Sequence, residues 1–169
     1  MALPRKLKNF NLFGDGESYM GQVEEVKLPT LARAMEDLRA GGMSGPVKTD
    51  HGMEAMEMES KFAGYMRAVV RQFGITTHDG VPLRFAGAYQ ADDTAAVDAV
   101  EIIVRGRHQE IDRGTAKAGD NTEFTVKTAI SYYKEVVNGV TEVEIDFVNM
   151  IEIIGGVDRL AEQRRAIGV

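Results

Sequence analysis

The stretch from Val23 to Phe62 constrains the fold most: two alternating arms, VEEVKLPTLARAMEDLR and KTDHGMEAMEMESKF, flank the glycine-rich bend AGGMSG. Arms this long exceed the usual strand of about 5–6 residues, and an isolated two-stranded ribbon is marginal in water. Such a ribbon needs partners, and the first candidates are other copies of the chain. In the first arm Val26, Leu28, Thr30, Ala32, Ala34 and Leu38 fall on one face and Lys27, Leu31, Arg33, Asp37 and Arg39 on the other. Pro29 cannot donate to a ladder, so it marks an edge, a bulge, or a point where pairing passes to another subunit. The second arm sets Met56, Met58 and Phe62 against Glu57, Glu59 and Lys61, a period of two that favours strand over helix.

Beyond the ribbon, Met66, Val69, Val70 and Phe73 recur at helical spacing, with Gly74 placed to end the helix. Strands are predicted over 81–90, 97–111 and 123–136. In the last two, Val100, Ile102 and Val104 oppose Glu101, Arg105 and Arg107, while Phe124, Val126, Ile130 and Tyr132 oppose Thr125, Lys127 and Ser131. The turn 14–16 predicts a short N-terminal hairpin, and Asn138-Gly139 predicts that Val143, Ile145 and Phe147 fold back as a strand. The last residues read as a short helix with Asp158 as N-cap and Leu160 and Ile167 inward. The fold class expected is mainly β (α+β): an antiparallel sandwich or barrel-like domain over 1–169, with a flanking helix and a short C-terminal helix.

Composition then narrows the function. A chain of 169 residues is a natural length for one core. Its net charge of −6 argues against a surface that grips nucleic acid by neutralising phosphates. The chain contains no cysteine, which excludes disulfides, thiolate nucleophiles and cysteine-bound zinc. Without an apolar leader or an uncharged run near 18 residues, a soluble cytoplasmic product with no membrane anchor is expected.

Chemistry is hard to find. His51 and His78 read as turn residues and His108 as part of a strand's polar phase, each structural or exposed, and no metalloprotease or nucleophile-elbow pattern surrounds them. Glu142, Glu144 and Asp146 share a strand face that suits either a hard cation or, in preference, a solvated or subunit-facing edge. Asp92-Asp93 reads as turn chemistry, and Met53, Met56 and Met58 as core before contact surface. No catalytic residue, cofactor or metal is expected, and surplus strand without chemistry points to assembly.

The segments PRKLKNFNLFGDGESYMG, VKLPTLARAMEDLRAGGMSGPV, PLRFAGAYQADDT, VRGRHQEIDRG, KAGDNTEF, SYYK and VEIDFVNMIEIIGGVDRLAEQRRAIG, in this order over the whole chain, resemble the major tail tube proteins of contractile-tailed phages, a family that includes the tubes of R-type pyocins. The resemblance implies hexameric rings stacked into a tube inside a contractile sheath, with about four strands per subunit in a continuous inner barrel. It also implies baseplate, tape-measure and tail terminator partners, DNA passing through the lumen without specific binding, and a particle tail assembled in the host bacterial cytoplasm. If the polar phase of the long strands faces the lumen, the lining comprises Glu57, Glu59, Lys61, Glu101, Arg105, Arg107, Thr125, Lys127 and Ser131, a mixed rather than an acidic set. Ring stacking falls to Gly41, Gly42, Met43, Ser44, Gly45 and Pro46, to Arg113 and Lys117 in the 112–120 loop, and to the N-terminal segment. A tube of a pyocin or secretion-type machine is the alternative reading. A small β-barrel enzyme or ligand carrier is a remote one.

Overall fold

The structure, a computed structural model, describes residues 2–169. The chain opens with a tight hairpin, β1 (Lys6–Gly14) and β2 (Glu17–Ser18), and crosses residues 23–62 as four strands rather than two. These are β3 (Val23–Lys27), β4 (Arg33–Leu38), β5 (Val47–Met53) and β6 (Met56–Phe62). Helix α1 (Arg67–Gln72) precedes β7 (Val81–Gln90) and the long pair β8 (Val97–Asp112) and β9 (Phe124–Val137). After β10 (Val140–Asp146), the short strands β11 (Ile151–Ile154) and β12 (Val157–Asp158) lead to helix α2 (Ala161–Ile167).

Turn chemistry sets the reversals. Asn138 and Gly139 lie at φ 49° and 82°, the paired left-handed geometry whose twist matches the flanking strands, and Val137 accordingly faces Val140 across the β9–β10 hairpin. Ten strands join one antiparallel sheet in the order β12-β11-β10-β9-β8-β7-β1-β2, while β6 branches from β9 and carries β3 on its far side. The branch point is explicit in the register. Residues Phe124–Ile130 of β9 pair with β6, and Tyr132–Val137 pair with β10.

The β8–β9 hairpin thus serves two layers. Its closed end, near the 113–123 loop, belongs with β6 and β3, and its open end with β7, β1 and β10. Between them the register shifts at Arg105/Gly106, opposite Ser131, and a bulge of this kind bends a strand pair. Close approach requires glycine there: a Cβ on Gly106 would stand 1.9 Å from the Ala129 carbonyl oxygen. Leu12 and Phe85 from one layer and Met58, Phe62 and Phe124 from the other share a single buried cluster. Tyr19 meets Phe62 edge-on with ring centroids 5.4 Å apart, so aromatic contact bridges the layers.

Several expectations need correction. The long arms break at residues 28–32 and at 54–55, and Pro29, with no N–H to give, sits in the first break. Leu38, expected on the apolar face, is exposed beside the equally exposed Val47. The bulge at Ser131 exchanges the phases beyond it, so Tyr133 rather than Tyr132 is buried. His108 lies in the buried phase of β8, not the polar one, and His51 is an exposed strand residue rather than part of a turn. Helix α1 stops before Phe73, which is exposed, and Phe73 itself caps it by donating its N–H to Val70. Val157–Asp158 is strand, Phe147 follows rather than ends β10, and α2 starts after Leu160 with Ile167 outward.

Candidate assembly surfaces

On β6, Met56, Met58, Ser60 and Phe62 point into the core, which leaves Glu57, Glu59 and Lys61 on the outer face. Neighbouring strands continue that face in register. Lys27 of β3 faces Glu59, Glu59 faces Lys127 of β9, and Lys127 faces Glu110 of β8, so signs alternate across four strands. One step toward the loop end, Glu25 faces Lys61, which faces Thr125. Opposite charges directly across a ladder each stabilise it by about 0.2–1 kcal/mol. Arg107, opposite Ala129, completes the face. The structure therefore gathers Glu57, Glu59, Lys61, Arg107, Thr125 and Lys127 on one surface.

The other three predicted lining residues lie at or beyond the bend. Glu101 pairs with Arg84 at 3.0 Å in the second layer. Arg105 stacks over the Tyr132 ring at 4.1 Å, and that tyrosine donates to Glu144 at 2.9 Å. Burial and this carboxylate together push the Tyr132 phenol up to about 12. Ser131 bonds to His78 at 2.9 Å. Glu25, Lys27 and Glu110 on the same face are absent from the predicted lining, and the alternation of β3 with Val26 inward is the signal available for Glu25 and Lys27. Glu110 follows a bulge at Gln109, which no local pattern announces.

Both margins of this four-stranded layer are open. Among the described residues strand β3 pairs with β6 alone, leaving its second edge without a strand. On the opposite margin β7 covers β8 only from Val97 to Gly106, so among the described residues the stretch Arg107–Asp112 is laddered to β9 alone. Successive pairs are all antiparallel, so β3 and β8 run in opposite senses. An unpaired edge is a template for another chain.

The β4–β5 ribbon leaves from the end of the layer opposite the 113–123 loop, because Met56 sits at Ile130 while Phe62 sits at Phe124. It is a separate two-stranded sheet, with Leu38 and Val47 exposed beside its tip. Arg33 anchors its root, reaching Glu152 of β11 at 2.6 Å and also pairing with Asp50. A cleft of about 480 Å³ opens beside that anchor, lined among others by Met53, Phe147 and Leu160. Gly41, Gly42, Ser44 and Pro46 at the tip are exposed, with Met43 and Gly45 partly covered. Arg113 and Lys117 are exposed at the other end of the layer. The predicted stacking residues therefore occupy two opposite poles. The N-terminal segment is tied down by Leu3 to Asp93, Arg5 to Asp98 and Lys8 to Asp92, at 2.9, 2.5 and 2.7 Å.

Polar groups elsewhere are engaged structurally. His108, pushed down to about 4 by burial, bonds to Thr128 at 3.0 Å and to Gln72 of α1 at 3.2 Å. Asp146 accepts from Val148 and Asn149 in the turn after β10. Among the described residues no cluster of three or more His, Asp or Glu side chains is arranged to hold a metal ion.

A β domain with open strand edges and a projecting ribbon is a subunit built for polymerisation. The comparisons say which kind. The family model for phage tail tube protein FII matches residues 4–168, and the chain belongs to that family. It is 44% identical to the tail tube protein of Escherichia phage P2 over the whole of both chains. With the major tail tube protein of Serratia phage KSP20 identity is 36%, over 89% of this chain and 88% of that one. The fold is similar to a chain in the extended sheath–tube complex of an extracellular contractile injection system, with TM-score 0.57, 8% identity and coverage of 78% and 90%. It is also similar to one in the tube-terminating cap of the anti-feeding prophage, with TM-score 0.57, 11% identity and coverage of 75% and 87%. The protein is a structural subunit of a phage tail tube and a virion tail component, not an enzyme.

Proposed function

We propose that residues 1–169 act as one tube domain whose β3–β6–β9–β8 layer forms the inner wall of a hexameric ring. The observation that carries this is the pair of open edges on one layer, antiparallel in sense, so that β3 of each subunit extends the Arg107–Asp112 ladder of the next. Closure removes both edges. The outer face then becomes the lumen, with Glu57, Glu59, Lys61, Arg107, Thr125 and Lys127 lining it, and with Arg105, Ser131 and Glu101 toward its rim. Because Lys61 is paired with Glu123 and Lys127 with Glu110, Arg107 alone of the named lining cations is free among the described residues, and the lining offers DNA no stripe of free cations to grip, so DNA slides through during ejection. Rings stack through the ribbon tip, Gly41–Pro46, and the loop carrying Arg113 and Lys117.

In the phage the tube sits within a contractile sheath, grows from the baseplate to a length set by the tape-measure protein and ends at a terminator, all in the host cytoplasm. Sheath and terminator partners are supported by the similar tube folds in sheath–tube and tube–terminator complexes. Negative-stain micrographs of the purified protein at high concentration test the reading. Rings or tubes with a central channel are expected, and a species that stays monomeric at every concentration overturns it.

A further inference from the structure

The two open margins differ sharply in charge, and the difference is unspent within the subunit. At the loop end of the layer, α1 leans on β8: Gln72 reaches His108, and Val70 and Phe73 line a shallow groove with Ile111 and Arg113. Three exposed arginines, Arg67 and Arg71 on α1 and Arg113 after β8, flank this groove. Among the described residues none of the three has a carboxylate within 4.0 Å, whereas Glu110 on β8 is matched with Lys127 at 3.9 Å. Asp112 accepts the Gly114 N–H.

The opposite margin at the same end is the start of β3, since Val23 faces Phe62 and Phe62 faces Phe124. Glu24 and Glu25 are exposed there and likewise without a cation within 4.0 Å among the described residues. Just before them Met20, 70% exposed, stands out on the short loop that leads into β3. The acidic margin and the apolar knob therefore lie at the height of Asp112 and Arg113, since Glu25 faces Lys61, Lys61 faces Thr125 and Thr125 faces Asp112, on the two edges that ring closure brings together.

Resting on the ring reading above, we propose that the Arg67–Arg71–Arg113 flank is a socket for the neighbouring copy. It takes the neighbour's Glu24 and Glu25 as charge partners and the neighbour's Met20 against Phe73 and Ile111. The contact is heterologous, one margin on a different margin, so it propagates around a ring in one direction. Its charges also set register: sliding β3 along β8 separates carboxylates from guanidiniums, and like charges meet if two identical margins approach.

A charge-swap pair tests this. One variant carries Arg71→Glu and Arg113→Glu, the other Glu24→Arg and Glu25→Arg. All four sites are exposed, and circular dichroism and melting check that both fold. Each variant alone puts like charges across every seam, and ring assembly is expected to require roughly 10-fold or more higher concentration. Mixed one to one, the acidic flank of the first meets the basic margin of the second, and a six-membered ring closes by alternation, so tubes return. Parent-like assembly of either variant alone, or no recovery on mixing folded variants, overturns the socket. Should a variant fail to fold, the parent chain decides: its assembly weakens as salt rises from about 0.05 M to 1 M if the seam is ionic, because the Debye length falls to about 3 Å, and assembly indifferent to salt overturns the proposal. Failure of the parent to form rings at any salt instead removes the ring reading itself.

Discussion

His108 shows most clearly what one residue does for this fold. Its ring is buried between β8, Thr128 of β9 and Gln72 of α1, and burial holds its pKa near 4 against the usual 6.5. The folded state binds fewer protons than the unfolded chain between these values, so stability rises with pH there. The contribution is complete above pH 6.5 and is lost as pH falls toward 4, a change of about 3 kcal/mol for such a shift. The lowered carboxyls of Asp50, Asp92, Asp93, Asp146 and Asp158 lose their contribution only at lower pH still. Urea titrations of the dissociated subunit at stepped pH should show the loss, and His108→Asn should flatten the curve between pH 6.5 and 4. Equal pH dependence in both proteins would mean another group carries it. The same residue marks a limit of sequence reading. Its ring alternates with Ile102 and Val104 and so belongs to their face, yet a lone histidine flanked by Arg107 and Gln109 looks like part of a polar run.

At the scale of elements, legibility followed the range of the forces involved. Strand 81–90, the inward methionines of β6 and the Asn138-Gly139 reversal depend on residues close in sequence, and all three were readable. The exchange of Tyr132 for Tyr133 depends on a bulge imposed by the Gly106–Ala129 approach, 23 residues apart in the chain, and alternation alone cannot register it. The ribbon's division into two pieces is of the same kind. Its root is fixed by Arg33 on Glu152, a contact spanning 119 positions, and the Glu152 side chain is only 7% exposed. Arg33→Ala strands that carboxylate without its cation and should lower subunit stability by about 2–3 kcal/mol, less than a fully buried pair because Arg33 itself is partly solvated. Arg33→Ala with Glu152→Met should recover most of the loss. Thermal melts of the two proteins check the magnitude, and hydrogen exchange over 47–53 checks the place: unchanged protection there would show that the ribbon is held by something other than this pair.

The whole molecule is polar along the direction in which a tube must grow. The ribbon tip stands at one pole of the β3–β6–β9–β8 layer and the 113–123 loop at the other, while the lateral edges lie between them. Lateral and axial contacts therefore draw on different residues and separate experimentally. Deleting 41–44 shortens the tip but leaves β3, the Arg107–Asp112 edge and the core untouched, since none of these residues is buried and the β4–β5 ladder ends at Leu38 and Val47. Closed rings should still form, and their stacking should weaken at least ~10-fold in the concentration required, the loss of roughly 1.4 kcal/mol per axial contact. Micrographs and sedimentation of the shortened protein should show single rings where the parent shows tubes. Long tubes of parent stability would place axial contact elsewhere, with the Arg33–Glu152 cleft and the loop around Arg113 the next surfaces to alter. Loss of rings along with tubes would instead make the tip part of the lateral seam and refute the separation of the two axes.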